Sequence, residues 1–146
     1  MNRAEKAEKL FKEGYNCSQA VVGAFSDKLS LDKETLMKLS SSFGGGMGRL
    51  REVCGAVSGM FVVLGLIKGY NSPDDNDGKK AHYENIQALA KEFEEENGSI
   101  ICRELLGLSV KKEEPTPEKR TEEYYKKRPC VEMVKSAVAI LEKIIE

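Results

Sequence analysis

The residues in this sequence best suited to chemistry are its four cysteines, Cys17, Cys54, Cys102 and Cys130. Each stands where local signals open a helix. Asn16, a good N-cap residue, precedes Cys17, and the apolar run Ala56 to Ile67 begins just after Cys54. Cys102 falls at the third position of a helix that Ser99 would cap, and Pro129, favoured in the first helical turn, precedes Cys130. A helix N-terminus offers free N–H donors and a partial positive charge, which favours a thiolate over a thiol. Four such sulfurs can assemble one electron-rich site. No two of them form a C-x-x-C pair and the only histidine is His82, so the common zinc spacings are absent.

Other candidate groups offer less. His82 reads as a helix-start or solvent-facing residue, Tyr15 as a packing tyrosine, and Glu92, Glu94, Glu95 and Glu96 as a solvated helix end. One histidine placed this way supports no serine–histidine–acid grouping, so no catalytic residue is assigned. Arg49 and Arg51 flank the Cys54 region, where they either offset the charge of thiolates or sit in solvent.

The bulk properties frame these sulfurs. A chain of 146 residues is one domain's worth, 1–146, and is long enough to bury a core without disulfide staples. Hydrophobic residues at 40% and charged ones at 32% are ordinary for a globular protein, and a net charge of −1 gives no pull toward nucleic acid. The run Ala56 to Ile67 is well short of the roughly 20 residues that span a bilayer. The charged opening Met1-Asn2-Arg3-Ala4-Glu5-Lys6 has no signal-peptide core, so a cytoplasmic, reducing location is expected. That setting favours metal ligation, thiol chemistry or plain packing over structural disulfides.

The elements that must position the cysteines read as helices nearly throughout. Arg3 to Lys12 sets Ala4, Ala7, Leu10 and Phe11 on one face. A second helix runs from Cys17 to about Phe25, and a third, capped by Asp32, from Lys33 to about Ser42 with Leu36, Met37 and Leu39 inward. Glu52 to about Gly69 is apolar on almost every face and reads as a buried central helix. Lys79 to Glu96 is amphipathic through Ile86, Leu89, Ala90 and Phe93, and Asn97-Gly98 stops it. A short helix from Ser99 to Leu106 carries Cys102. Val110 to Arg128 reads either as a short exposed helix starting at Thr116-Pro117 or as a mobile crossing. Pro129 opens the last helix, with Val131, Val134, Val138, Leu141, Ile144 and Ile145 as its stripe. No strand is convincing. The expected fold is all-α, a single-domain helical bundle around a glycine-containing central helix, and the last stripe is compatible with a homodimer.

Within the central helix, Gly55 and Gly59 lie one turn apart beside Cys54. Glycine costs about 1 kcal/mol against alanine inside a helix, so the pair implies close approach of another backbone or of an inorganic ligand. The preceding run Gly44-Gly45-Gly46-Met47-Gly48 does not continue into Gly-Lys-Ser/Thr and follows a helix, so it is not a phosphate loop. It reads as a loop shaping the wall near Cys54, or as a tight connection.

The order of these features resembles one family. Cys17 within Gly14-Tyr15-Asn16-Cys17-Ser18-Gln19-Ala20 comes first, then the glycine run and Cys54-Gly55-Ala56-Val57-Ser58-Gly59. Cys102 and Cys130 follow. The whole resembles the small proteins called C_GCAxxG_C_C, with the central motif matched as Cys54-Gly55-Ala56-x-x-Gly59. The resemblance implies a redox-active protein in which the four cysteines hold an iron–sulfur cluster or a similar metal centre. It implies no substrate. Gly45, Gly46, Gly55 and Gly59 are then the cofactor-binding glycines, with the loop N–H groups facing cluster sulfur.

The residues themselves leave alternatives. Scattered cysteines can ligate an iron–sulfur cluster if the fold gathers them, and the same four could hold tetrahedral zinc. They could also exchange disulfides without metal, or simply pack, since free cysteine is among the most buried residue types. The leading expectation is an electron carrier or redox accessory that works with a redox partner protein. Thiol–disulfide exchange and a zinc-stabilised binding module are its alternatives.

Overall fold

The computed structural model describes residues 1–108 and 113–145. Among them are eight right-handed α-helices: α1 (Arg3–Lys12), α2 (Cys17–Ala24), α3 (Lys33–Ser40), α4 (Gly55–Lys68), α5 (Asn76–Asn97), α6 (Cys102–Leu105), α7 (Glu122–Lys127) and α8 (Cys130–Ile145). No strand occurs among the described residues, and the one extended pairing is an isolated antiparallel bridge between Val53 and Ile101. The fold is all-α, as the hydrophobic periodicity predicts.

Local capping chemistry sets most of the helix starts. The Asn2 side chain accepts the Glu5 N–H at 2.8 Å to open α1. Asn16 and Gln19 form a reciprocal capping box at α2, with bonds of 2.9 and 3.0 Å. Asp32 caps α3 through Thr35, and Asp75 caps α5 through Gly78, three residues earlier than the periodicity suggests. Each bond satisfies an N–H that the first turn would otherwise leave open.

Helix α2 is the hub. It packs along α4, against α1, and on α3 and α8, and its residues Ala20, Val21, Val22 and Ala24 have no exposure. The first half of α4 is buried continuously from Gly55 to Met60, followed by Val63 and Leu64. Its far end departs from the expectation of burial on all faces: Phe61 and Val62 are half-buried and Leu66 is 44% exposed. The two glycines permit this packing. A Cβ on Gly59 would stand 2.9 Å from Val21 Cβ and 3.1 Å from Ser18 O, and one on Gly55 would stand 2.9 Å from Phe43 O. The close approach therefore brings α2 and the Phe43 turn against α4.

Other boundaries move for physical reasons. Leu39, expected inward, is 45% exposed because α3 turns only Leu36 and Met37 toward α2. Ser99 does not cap a helix at Cys102. Its hydroxyl accepts the Ile101 N–H and donates to the Glu104 carboxylate, and α6 starts at Cys102 itself. Helix α7 begins at Thr121, whose side chain accepts the Tyr124 N–H, and not at Thr116-Pro117. Residues 110–112 of that segment lie outside the described residues. The stripe of α8 is used within the chain: Val134, Val138 and Leu141 have no exposure, while Val131, Ile144 and Ile145 pack against the core's edge. No helix among the described residues is long and apolar enough to cross a membrane.

Candidate functional site

The site is built by three pieces of backbone that local sequence makes unusual. After α3, a short 3₁₀ turn (Ser41–Phe43) leads into Gly44–Met47, a turn of the opposite hand. Gly45, Gly46, Met47, Gly48 and Arg49 all have φ between 61° and 69°, and Arg51 follows at 58°. The turn is closed by bonds from Gly48 N to Gly44 O (2.9 Å), Arg51 N to Gly45 O (3.3 Å) and Glu52 N to Gly46 O (2.9 Å). Left-handed backbone costs a non-glycine residue roughly 1–2 kcal/mol, so Met47, Arg49 and Arg51 are held there against local preference.

The second piece is the isolated bridge. Cys54 N donates to Ile100 O at 2.7 Å, Cys102 N to Glu52 O at 2.6 Å, and Arg103 N to Arg51 O at 3.2 Å. These bonds set the segments before α4 and α6 side by side and bring Cys54 and Cys102 to one wall. The third piece is the tight α2–α4 contact, where a Cβ on Gly55 would stand 3.2 Å from Cys17 Cβ. The Cys130 thiol, at the start of α8, faces the same cavity as Cys17, and the two thiols influence each other's acidity.

All four sulfur-bearing residues thus line one cavity of about 340 Å³. All four are free thiols; Cys17, Cys54 and Cys102 are buried and Cys130 is half-buried. Gly45, Gly46 and Gly55 also line the cavity, whereas Gly59 lies deeper along α4, against Ser18 and Val21 of α2. His82, on α5, is not part of the cavity wall.

Arginines share the cavity wall. Arg49, Arg51, Arg120 and Arg128 line it, along with the carboxylate of Glu118. Arg51, only 5% exposed, donates from Nη1 to Cys102 Sγ at 3.5 Å, and its Nε and Nη2 both reach Glu113 Oε1 at 2.6 Å. Arg49 donates to Glu114 O at 2.6 Å and faces Glu113 and Glu118 at 3.7 and 3.8 Å. Arg128 pairs with Glu118. Arg120 has no carboxylate partner among the described residues. It donates to Phe11 O (2.8 Å) and Tyr15 O (3.1 Å), with its guanidinium over the Phe11 and Tyr124 rings. Four guanidinium groups against two carboxylates leave two positive charges in surplus around the sulfurs.

Composition did not reveal this half of the site. The segment read as an exposed helix or a mobile crossing supplies Pro115, Pro117, Glu118, Arg120, Tyr124 and Arg128 to the wall. The only signal in the sequence is an aromatic pair, Tyr124-Tyr125, inside a charged run, and both rings do pack toward the core.

The electrostatics correct one expectation. A helix start alone does not make these sulfurs acidic: the neighbouring Cys130 thiol and burial raise Cys17, and burial raises Cys54 and Cys102. Desolvation pushes the Cys54 thiol up to about 12, although the N–H groups of Ala56 and Val57 pull the other way. Burial also raises Cys102, against the pull of Arg51. In the Cys17–Cys130 pair, Cys130 is the more acidic member. The neighbouring Cys17 thiol stabilises its thiolate, and Arg128, Arg120 and Arg51 add to that against its own burial. Cys17, fully buried, keeps its proton.

A family profile described as "Putative redox-active protein (C_GCAxxG_C_C)" matches residues 15–144. The chain belongs to the C_GCAxxG_C_C family. No curated protein and no solved structure matches it. The match spans α2 to α8 and so takes in every element that lends the cavity a cysteine. Tetrahedral zinc at a Zn–S distance of about 2.3 Å needs four sulfurs some 3.8 Å apart. Among the described residues, no three His, Cys, Asp or Glu side chains are grouped to hold a metal ion. In this family member the four cysteines share one cavity wall.

Proposed function

We propose that this chain is a redox protein whose Cys17, Cys54, Cys102 and Cys130 hold an iron–sulfur cluster in the arginine-lined cavity. The observation that carries the reading is the joint wall of four thiols and four arginines. When bound, the cluster supplies a one-electron store. The chain's own part is to bind, shield and bias it. Gly46 and Gly55 let backbone come close to Cys102 and Cys17, Gly45 makes room for the Arg49 and Arg51 side chains, and Arg49, Arg51, Arg120 and Arg128 counter the charge of four thiolates. Pro115, Pro117 and Tyr124 limit the entry of water. Electrons would pass to and from a redox partner protein. Protein purified without oxygen is expected to contain iron and acid-labile sulfide, both lost in Cys54→Ser. Absence of both after anaerobic reconstitution overturns the reading.

A second reading rests on the pairing of two free thiols, Cys17 and Cys130, on one cavity wall, with Cys130 the more acidic. In thiol–disulfide exchange, the Cys130 thiolate attacks one sulfur of a disulfide substrate and expels the other as a thiolate. Cys17, losing its proton, then attacks the mixed disulfide at Cys130. The two cysteines end as a disulfide, and the substrate leaves as one thiolate and one thiol, carrying the electron pair and the Cys17 proton; water protonates the remaining thiolate. A small disulfide such as oxidised glutathione is expected to produce the Cys17–Cys130 cross-link, seen by peptide mass. Only non-native pairings, or none, would end this version.

A further inference from the structure

We propose that the cavity seats a small organic anion beside the cysteines, its carboxylate or phosphate head taken by Arg120 and Arg128 and its apolar body by the facing wall. The inference goes beyond the redox reading, because guanidinium groups and not sulfurs hold this ligand. Arg120 is half-buried. Its Nη1 and Nη2 donate to Phe11 O and Tyr15 O at 2.8 and 3.1 Å, and its guanidinium carbon stands 4.3 and 5.1 Å from the Phe11 and Tyr124 ring centroids. A guanidinium carries more N–H donors than these two bonds use, and among the described residues no carboxylate or sulfur accepts from it. A cation drawn partly out of water without an anion is costly, so a bound oxyanion completes this one.

Arg128 is similarly under-matched. Its partner Glu118 also faces Arg49, at 3.8 Å. Tyr124 joins the two arginines: its ring lies under Arg120 and its carbonyl accepts the Arg128 N–H at 3.0 Å. Of the four arginines on the wall, Arg51 is the one with a sulfur in hydrogen-bonding reach among the described residues, Cys102 Sγ at 3.5 Å. The remaining donors of Arg120 and Arg128 are therefore left for something else, and the planar fork of arginine suits the paired oxygens of a carboxylate or phosphate. An inorganic ion alone would leave much of the cavity uncovered. Leu105, Leu106, Pro115, Pro117 and Met133 line it, and its volume of about 340 Å³ is that of a small-molecule site. An apolar body on the anion covers those side chains.

The test is calorimetric titration of full-length, reduced, metal-free protein at one fixed pH, with chloride holding the ionic strength constant. The probes are benzoate and phenyl phosphate, each beside its counterpart without the ring, acetate and inorganic phosphate. Saturable binding of benzoate or phenyl phosphate is expected, roughly tenfold tighter than its counterpart, as burial of part of an apolar ring implies. Arg120→Gln should weaken it by about tenfold, through loss of a charge-assisted bond. Glu118→Gln should tighten it several-fold by releasing Arg128 and Arg49, which a mere loosening of the wall would not do. No saturable binding of either aromatic probe overturns the proposal. Equal affinities with and without the ring also overturn it, as does weaker binding in both variants. Should Arg120→Gln fail to fold, Arg120→Lys and Glu118→Gln carry the same comparison, and equal affinities overturn it. Iron, sulfide and cross-linking assays judge the redox reading separately, so failure of one is not mistaken for failure of the other.

Discussion

Gly46 meets Cys102 with no space for a side chain between them: a Cβ on Gly46 would stand 2.6 Å from Cys102 Cβ. The same atom would lie 2.9 Å from Glu52 N, and Gly46 has φ 68°, so neither neighbour nor backbone gives way cheaply. Gly46→Ala is expected to destabilise the protein by about 2–4 kcal/mol, combining left-handed strain with overpacking. Urea unfolding measures it. A loss under about 0.5 kcal/mol would mean that the turn relaxes freely.

Gly59 separates packing from ligand binding. Gly59→Val places bulk against Val21 and Ser18 in the α2–α4 contact, and a cost of about 2–3 kcal/mol is expected. Because Gly59 lies against α2 and not in the cavity wall, the folded fraction should retain wild-type iron per chain. Iron lost from well-folded Gly59→Val would assign this glycine to the centre itself.

Cys54 predicts a pH dependence for the reduced, metal-free chain. Its folded-state value, pushed up to about 12 chiefly by burial, lies above that of an unfolded thiol, ordinarily 9.0. The folded state therefore keeps the proton after the unfolded state has lost it. Stability from this group is complete below about pH 9 and falls as pH rises toward 12, by an amount on the order of a few kcal/mol. Cys54→Ser should flatten that slope in thermal melts recorded from pH 8 to 11.

The thiols should differ in reactivity in the same metal-free form. Cys130, supported by Cys17 and three arginines, is expected to react first with iodoacetamide, and the buried Cys17 and Cys54 last. Cys17→Ala should slow Cys130 several-fold by removing the thiol that stabilises its thiolate. Peptide mapping over time checks both, and equal rates at all four sites would contradict the electrostatic picture.

Arg120 ties the 113–128 segment to α1. Its bonds to Phe11 O and Tyr15 O have no carboxylate substitute among the described residues. Arg120→Ala is expected to cost about 1–3 kcal/mol locally and to speed proteolysis within 113–128 while the core helices stay intact. Unchanged cleavage would place the anchoring elsewhere, in the Glu113 and Glu118 pairs.

The sequence alone determined the helical class, the starts of α1, α2, α3 and α8, and the placement of cysteines at helix starts. Those features follow from short-range chemistry: an Asn or Asp accepting an N–H three residues on, a proline before a first turn, apolar residues recurring along one face. The need for close approach at Gly55 and Gly59 was equally legible, since a helical glycine has a cost that something must repay. Tertiary structure alone decided what surrounds the sulfurs. The burial of Arg51 depends on a left-handed turn closed by Glu52 N and on a bridge to Ile101. Glu113, Glu118 and Arg120 reach the cavity across long stretches of chain, and nothing in their neighbours' identity marks them. The same holds for acidity. Local position gives every one of the four cysteines a helix-start field, but the neighbouring thiol at Cys17 and desolvation at Cys54 and Cys102 are set by the whole fold, and they outweigh that field at all but Cys130.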